Sequence, residues 1–142
     1  MKVKKYLNIS LIYAVAALIC GVFYREFTKW NGYNEVTTLG KAHVHLLVMG
    51  MIVFMMVALF SIHQELEKCK IFRVFIWIYN IGLLITTVMM VVRGITQVMN
   101  TSLSHGADAA ISGIAGIGHI LTGVGIVLLL VSLKKTSENG RC

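Results

Sequence analysis

Four long apolar stretches constrain this chain more than any other feature of its sequence. They cover residues 6–23, 42–62, 71–92 and 109–133. Each approaches the roughly 20 residues that an α-helix needs to cross about 30 Å of hydrocarbon. The stretches are apolar on all sides and lack the alternation of a half-buried strand. We therefore predict an all-α fold, an integral membrane four-helix bundle that forms a single domain over residues 1–142.

The composition indicates a membrane environment as well. Hydrophobic residues make up 57% of the chain and charged residues 13%, whereas soluble domains carry about 25% charged residues. So few charged side chains could not cover the surface of a protein in water, which excludes a soluble enzyme. The first expected partner is therefore the lipid bilayer.

The basic residues predict how the helices are oriented. If the N-terminus is inside, nine basic residues fall on the inner side and four on the outer side, namely Arg25, Lys29, Lys41 and Arg93. This distribution satisfies the positive-inside rule with both termini in the cytoplasm. The net charge of +7 then reflects topology and contact with anionic lipid. Nucleic acid is not an expected partner, because the basic residues do not form a patch with interleaved aromatic residues.

Three histidines fall within the predicted spans. His43 and His45 lie near the outer end of the second helix, and His119 lies within the fourth. Ionisable groups in hydrocarbon are costly and usually mark a site. If Asp108 caps the fourth helix, His119 lies about ten residues, or ~15 Å, below the outer surface.

Small residues share the helix face of His119. They are Ser112, Gly116 and Gly123, which follow helical spacing around it. One explanation is close packing against another helix, with the imidazole hydrogen-bonded across the interface. The other is that the missing side chains make room for a flat macrocycle, with His119 as an axial ligand of its iron.

His43 and His45 point in different directions. In a helix they are about 200° apart, so they cannot both bind one small ion. They predict two sites, or one site and one structural contact. The alternative is that both reach the lipid headgroup boundary and extend towards water.

The run AHVHLLVMG at residues 42–50 resembles the tenth helix of the catalytic subunit of haem–copper oxidases. That helix carries an H-x-H motif followed by an apolar stretch and a glycine, and the cytochrome-cbb-type oxidases have G-H-V-H there. The resemblance implies that His43 binds a high-spin haem and His45 a low-spin haem. His119 is then the remaining intramembrane candidate for the second ligand of the low-spin haem. One haem b per chain is expected, and a second near His43 stays open.

The whole chain is also similar to an uncharacterised family of small four-helix bacterial membrane proteins, which implies the bacterial plasma membrane. Haem–copper oxidases arrange twelve helices as three four-helix arcs, and this chain resembles one arc. The resemblance favours a homotrimer, with a dimer as the alternative. However, the chain has no consecutive His-His pair and no H-x-x-x-Y segment. Oxygen reduction to water is therefore not expected, and whether the protein is an enzyme stays open.

The propionates of a haem would need cations at the outer surface. Arg93 and Gln97 lie on one helical stripe just beyond the third apolar stretch, and Arg25 follows the first stretch on the same side. The guanidinium group of arginine matches the geometry of a carboxylate. For Arg93, the alternative is an ordinary interfacial anchor.

These observations favour a membrane haem-binding protein of the cytochrome b type, with bis-histidine ligation, that transfers electrons or senses a diatomic gas. Its redox partner stays open. The first alternative is a protein that binds or transports copper or zinc through His43, His45 and His119. The second is a ligand-free accessory subunit of a membrane complex.

Overall fold

The computed structural model describes residues 2–139 of the chain, and this part contains four long helices. They are α1 (Lys2–Trp30), α2 (Leu39–His63), α3 (Lys70–Val98) and α4 (His105–Asn139). Each is long and apolar enough to cross a membrane. The predicted all-α class with four candidate spans is therefore confirmed.

Each helix extends beyond the apolar stretch that predicts it. The extension reaches six residues at the C-terminal end of α3, which includes Arg93 and Gln97 in its last turns. At α4 the start moves from residue 109 to His105, and Ser104 rather than Asp108 accepts a hydrogen bond at the N-terminus, from the backbone N–H of Ala107 at 3.2 Å. Polar residues continue a spanning helix readily because its backbone groups are already paired within the helix.

The four helices pack in chain order. The helix α1 packs along α2, α2 packs on α3, and the most extensive contact joins α3 and α4. Aromatic side chains fill the half of the bundle nearest to residue 2, where Tyr6 meets Phe72 edge-to-face at 5.7 Å between ring centroids. The opposite half holds His45 and His119, in a groove between α2 and α4 whose floor is α3.

Glycines set the close approach of α3 and α4. A Cβ atom built on Gly118 would lie 2.6 Å from Thr86 Oγ1, and one on Gly82 would lie 2.6 Å from the backbone nitrogen of Thr122. A Cβ on Gly125 would lie 2.8 Å from Tyr79 Cβ. These small residues let the two backbones pack directly, as is common between helices in membranes.

Part of α2 is a π-helix, over Leu46–Ile52. Hydroxyl groups of neighbouring helices donate to its carbonyls: Tyr79 to Met49 O at 2.7 Å and Ser10 to Met51 O at 2.8 Å. Gly50 lets the ring of Tyr13 approach closely, since a Cβ there would lie 2.5 Å from Tyr13 Cγ. The π-helix begins directly after His45, and such segments occur frequently at functional sites.

Candidate functional site

The side chains of His45 and His119 meet across the groove between α2 and α4. Their ring centroids are 6.1 Å apart and the ring planes are nearly perpendicular, at 82°. The two histidines are 74 residues apart in the sequence, and they meet because both of their helices pack on α3. The structure thus brings together the two residues that sequence reasoning proposed as a ligand pair.

Both imidazoles are oriented in the same way. His45 Nδ1 lies 3.2 Å from Lys41 O, and His119 Nδ1 lies 2.8 Å from Ala115 O. A carbonyl oxygen only accepts, so in each contact Nδ1 is the donor, which leaves Nε2 as the ring nitrogen available to a metal. Neither Nε2 has a hydrogen-bond partner among the described side chains of residues 3–137. Histidines that bind metals are commonly fixed in this way, through the ring nitrogen that does not bind the metal.

The spacing of the two rings fits a metal held between them. A metal–imidazole bond is about 2 Å long, so two such bonds on opposite sides of one metal separate the ring centres by about 6 Å. The observed separation is 6.1 Å. The centroid separation alone is thus compatible with one metal ion between the two rings.

A cleft of about 140 Å³ adjoins the two rings. Besides the histidines it is lined by Met49, Leu83, Thr86, Thr122 and Gly123. Thr86 is 2% exposed and its hydroxyl has no hydrogen-bond partner, whereas Thr122 donates to Gly118 O at 2.8 Å. The cleft by itself has room for an ion or a small ligand, and a macrocycle must extend past it.

Open space beside His119 allows that extension. A Cβ atom built on Gly116 or Gly123 would meet nothing within 4 Å, and both glycines are exposed, as is His119. These two glycines are therefore not needed for the packing of α3 against α4, unlike Gly118 and Gly125. They leave a bare surface one turn to either side of the imidazole.

Arg93 lies at the outer end of this face. Its Nη2 atom donates to Asp108 Oδ1 at 2.9 Å and to Ser112 Oγ at 2.7 Å. Ser112 is seven residues before His119, about 10 Å along the helix. A ligand carboxylate could reach the guanidinium group there by sharing it with Asp108 or by displacing that carboxylate.

Gln97 lines a cleft of about 480 Å³ that it shares with Arg93, whereas Arg25 lies elsewhere. Gln97 Oε1 accepts hydrogen bonds from Thr38 N at 2.9 Å and from the hydroxyl groups of Thr37 and Thr38 at 3.0 and 3.1 Å. Gln97 therefore fixes the start of α2 against α3. Arg25 lies on α1 with its side chain 81% exposed, 3.8 Å from Glu26, and it does not line the cleft.

His43 faces a different groove, between α1 and α2. Its ring stacks on Tyr24 with centroids 6.3 Å apart, and a Cβ on Gly21 would lie 3.7 Å from His43 Cγ. Its Nδ1 atom is buried without a hydrogen-bond partner. Across residues 2–139 no cluster of three or more His, Cys, Asp or Glu residues could hold a metal ion. A second cofactor near His43 would thus have one histidine from this chain.

Sequence reasoning gave Met49 and Thr86 no role at this cleft. Met49 is four residues after His45, a spacing that puts two residues on one helix face, so the pattern contained a signal for it. Thr86 stands out only by its buried, unpaired hydroxyl, which a sequence cannot reveal.

One protein-family model, described as a protein of unknown function (DUF2871), matches residues 3–136. No curated protein and no solved structure matches the chain.

Proposed function

We propose that this chain, which belongs to the DUF2871 family over residues 3–136, is a membrane haem-binding protein of the cytochrome b type. His45 and His119 are its axial ligands. The proposal rests on the paired imidazoles of these two residues, whose ring centroids are 6.1 Å apart. Each Nδ1 atom is hydrogen-bonded to a carbonyl of its own helix, and within residues 3–137 each Nε2 atom is left without a partner.

Three further features support this ligand. Gly116 and Gly123 leave space next to the imidazole of His119 where side chains would obstruct a flat ring. Arg93 offers a guanidinium group at the outer end of the same face, where propionates would need a cation. Both histidines also lie on helices long and apolar enough to span a membrane, where an ionisable residue usually marks a site.

The residues that line the cleft determine which chemistry a bound iron could perform there. Iron, when bound there, would supply a one-electron redox centre. If His45 and His119 both hold the iron, they would leave no position on it for a ligand from solution, which favours electron transfer over gas sensing. Thr86 offers a buried hydroxyl that can donate a hydrogen bond into the cleft.

The absorption spectrum of the purified protein tests this function. After expression with adequate haem, we expect a Soret band and a low-spin reduced-minus-oxidised spectrum. His45→Ala and His119→Ala should each abolish the low-spin spectrum, because each removes one axial ligand. His43→Ala is the matched control and should keep it, since His43 faces the other groove. A well-folded protein without a Soret band would contradict the proposal.

The proposal also covers the topology, the membrane and the oligomeric state of the protein. We take both termini to be cytoplasmic and the membrane to be the bacterial plasma membrane, as the basic residues and the resemblance to bacterial proteins favour. The packing of the helices in chain order is compatible with the likeness to one oxidase arc. A homotrimer would complete that arrangement, and the bare surface at Gly116 and Gly123 is compatible with a neighbouring copy beyond the haem.

A copper(I) site is the second candidate function. The thioether of Met49 lines the same cleft as His45 and His119, and soft thioether and imidazole ligands suit copper(I). Elemental analysis of the purified protein decides between the two functions. Copper without iron, lost in Met49→Leu, would favour the copper site, whereas haem should survive that substitution.

A further inference from the structure

A second groove lies far from the histidines, at the end of the bundle nearest to residue 2. It combines two adjoining clefts of about 340 and 380 Å³ that share Arg73 and Trp77. The first cleft is also lined by Lys5, Tyr6, Glu67, Phe72 and Ile76, and the second by Lys70 and Val74. We call this surface the basic groove.

The basic groove carries an excess of positive charge. Three cations line it, from Lys5, Lys70 and Arg73, against one carboxylate, from Glu67. That carboxylate is already engaged, since Tyr6 donates to it at 3.0 Å and Lys5 Nζ lies 3.9 Å from it. Among the side chains that the structure describes, residues 3–137, neither Arg73 nor Lys70 has an ion-pair partner. Within this range the two exposed cations therefore have no counter-ion.

Trp77 indicates what surrounds the groove. Its side chain is 72% exposed and lies one turn beyond Arg73 on α3. Tryptophan concentrates at the boundary between hydrocarbon and headgroups, where its ring is apolar and its N–H group can reach water. Trp77 therefore favours a position of the groove at the level of the lipid headgroups, if α3 spans a membrane.

An apolar path leads from the groove into the membrane. Exposed apolar residues follow one another along a single face of α3, namely Val74, Trp77, Ile81, Leu84 and Val88. This face has the length and character to lie against an acyl chain. A soluble acidic peptide would match the cations but not this path.

We propose that the basic groove binds an anionic phospholipid, with its phosphate on Arg73 and Lys70 and an acyl chain along the exposed face of α3. The fork of Arg73 can donate two hydrogen bonds to phosphate oxygens, and Lys70 adds a second charge. Such a lipid would supply a counter-ion for Arg73 and Lys70, at the membrane side that the basic residues assign to the cytoplasm.

Native mass spectrometry of the purified protein tests this proposal, with phosphatidylglycerol and phosphatidylcholine of identical acyl chains as probes. We expect clear preference for phosphatidylglycerol. Each removed cation should weaken binding about fivefold, so Arg73→Gln with Lys70→Gln should reduce phosphatidylglycerol binding to near the phosphatidylcholine level. Arg73→Lys should lie between, because it keeps the charge and loses the fork.

Lys135→Gln provides the matched control. It removes one exposed cation from α4, outside the basic groove, and should leave lipid binding unchanged. Far-ultraviolet circular dichroism checks that all variants keep their helices. Equal binding of the two lipids, or an equal loss in Lys135→Gln, would overturn the proposal. Displacement of the lipid by a glutamate-rich peptide would assign the groove to a protein partner and overturn it too.

Discussion

The side chains of His45 and His119 are oriented in the same way. Each imidazole is oriented by a hydrogen bond from Nδ1 to the carbonyl four residues earlier. This hydrogen bond needs no partner from another helix, because the side chain turns back along its own helix. The Nε2 atom of each ring stays available, and it is the atom through which the ring would bind a metal.

Arg93 allows a test at the level of a single residue. Arg93→Gln removes the contacts to Asp108 and Ser112, but a partly exposed ion pair contributes only about 0–1 kcal/mol to stability. We therefore expect little change in thermal stability and a marked loss of bound haem, measured from the Soret absorbance per chain. Arg25→Gln, at the other outer arginine, should change neither quantity. A stability loss without haem loss would make Arg93 a structural anchor only.

Two glycine pairs on α4 show how one element serves two purposes. Gly118 and Gly125 face α3 at close range, while Gly116 and Gly123 face open space with the same spacing of seven residues. The pairs are two residues apart, so they lie on different faces of the helix. One pair fixes the helix and the other leaves room beside its histidine.

Matched alanine substitutions test this division of roles. In Gly118→Ala the new Cβ would lie 2.6 Å from Thr86 Oγ1 and 2.8 Å from Thr86 N. The helices must separate, and we expect a loss of about 1–3 kcal/mol. Gly116→Ala adds the same atom in open space and should cost nothing. Unfolding in mixed detergent micelles, followed by circular dichroism, measures both. Equal stabilities would contradict the assigned packing.

The elements differ in how well the sequence predicts them. Four spans follow from hydrophobic length alone, because the bilayer fixes that length. The face around His119 also follows from spacing, and the structure leaves Gly116 and Gly123 open there. The packing role of Gly118 does not follow, since only the partner residues on α3 distinguish it from Gly116. The hydrogen bond from Thr38 N to the side-chain carbonyl of Gln97 does not follow from the sequence either, because it depends on how α2 packs on α3. A place for Gln97 beside a cofactor stays a prediction.

At the scale of the whole molecule, the main feature is that the two ends of the bundle carry different residues. Lys5, Lys70 and Arg73 collect at one end, together with an aromatic core, and the histidine cleft lies towards the other. The positive-inside rule assigns the basic end to the cytoplasm. The haem site would then lie closer to the outer side, which favours a redox partner on that side or within the membrane.

Reporter fusions test this orientation. Alkaline phosphatase inserted in the loop at residues 31–38 should be active, because that loop is expected outside, where the enzyme folds. A fluorescent protein fused to the C-terminus should fluoresce, because that end is expected in the cytoplasm. The reverse pair of fusions serves as the control and should be silent. The opposite pattern would invert the topology and move the haem site to the cytoplasmic side.

The π-helix of α2 also changes the directions in which the residues before and after it point. An inserted residue turns everything that follows by about 100° relative to a continuous α-helix. The first part of α2 can therefore direct His43 and His45 at their grooves while the last part, from Val53, independently directs Phe54 into the core. A helical wheel that treats all of α2 as a regular α-helix would assign the residues of one half to the wrong face. Deleting one residue within 46–52 would restore a regular helix and rotate both histidines away from the grooves that they now face.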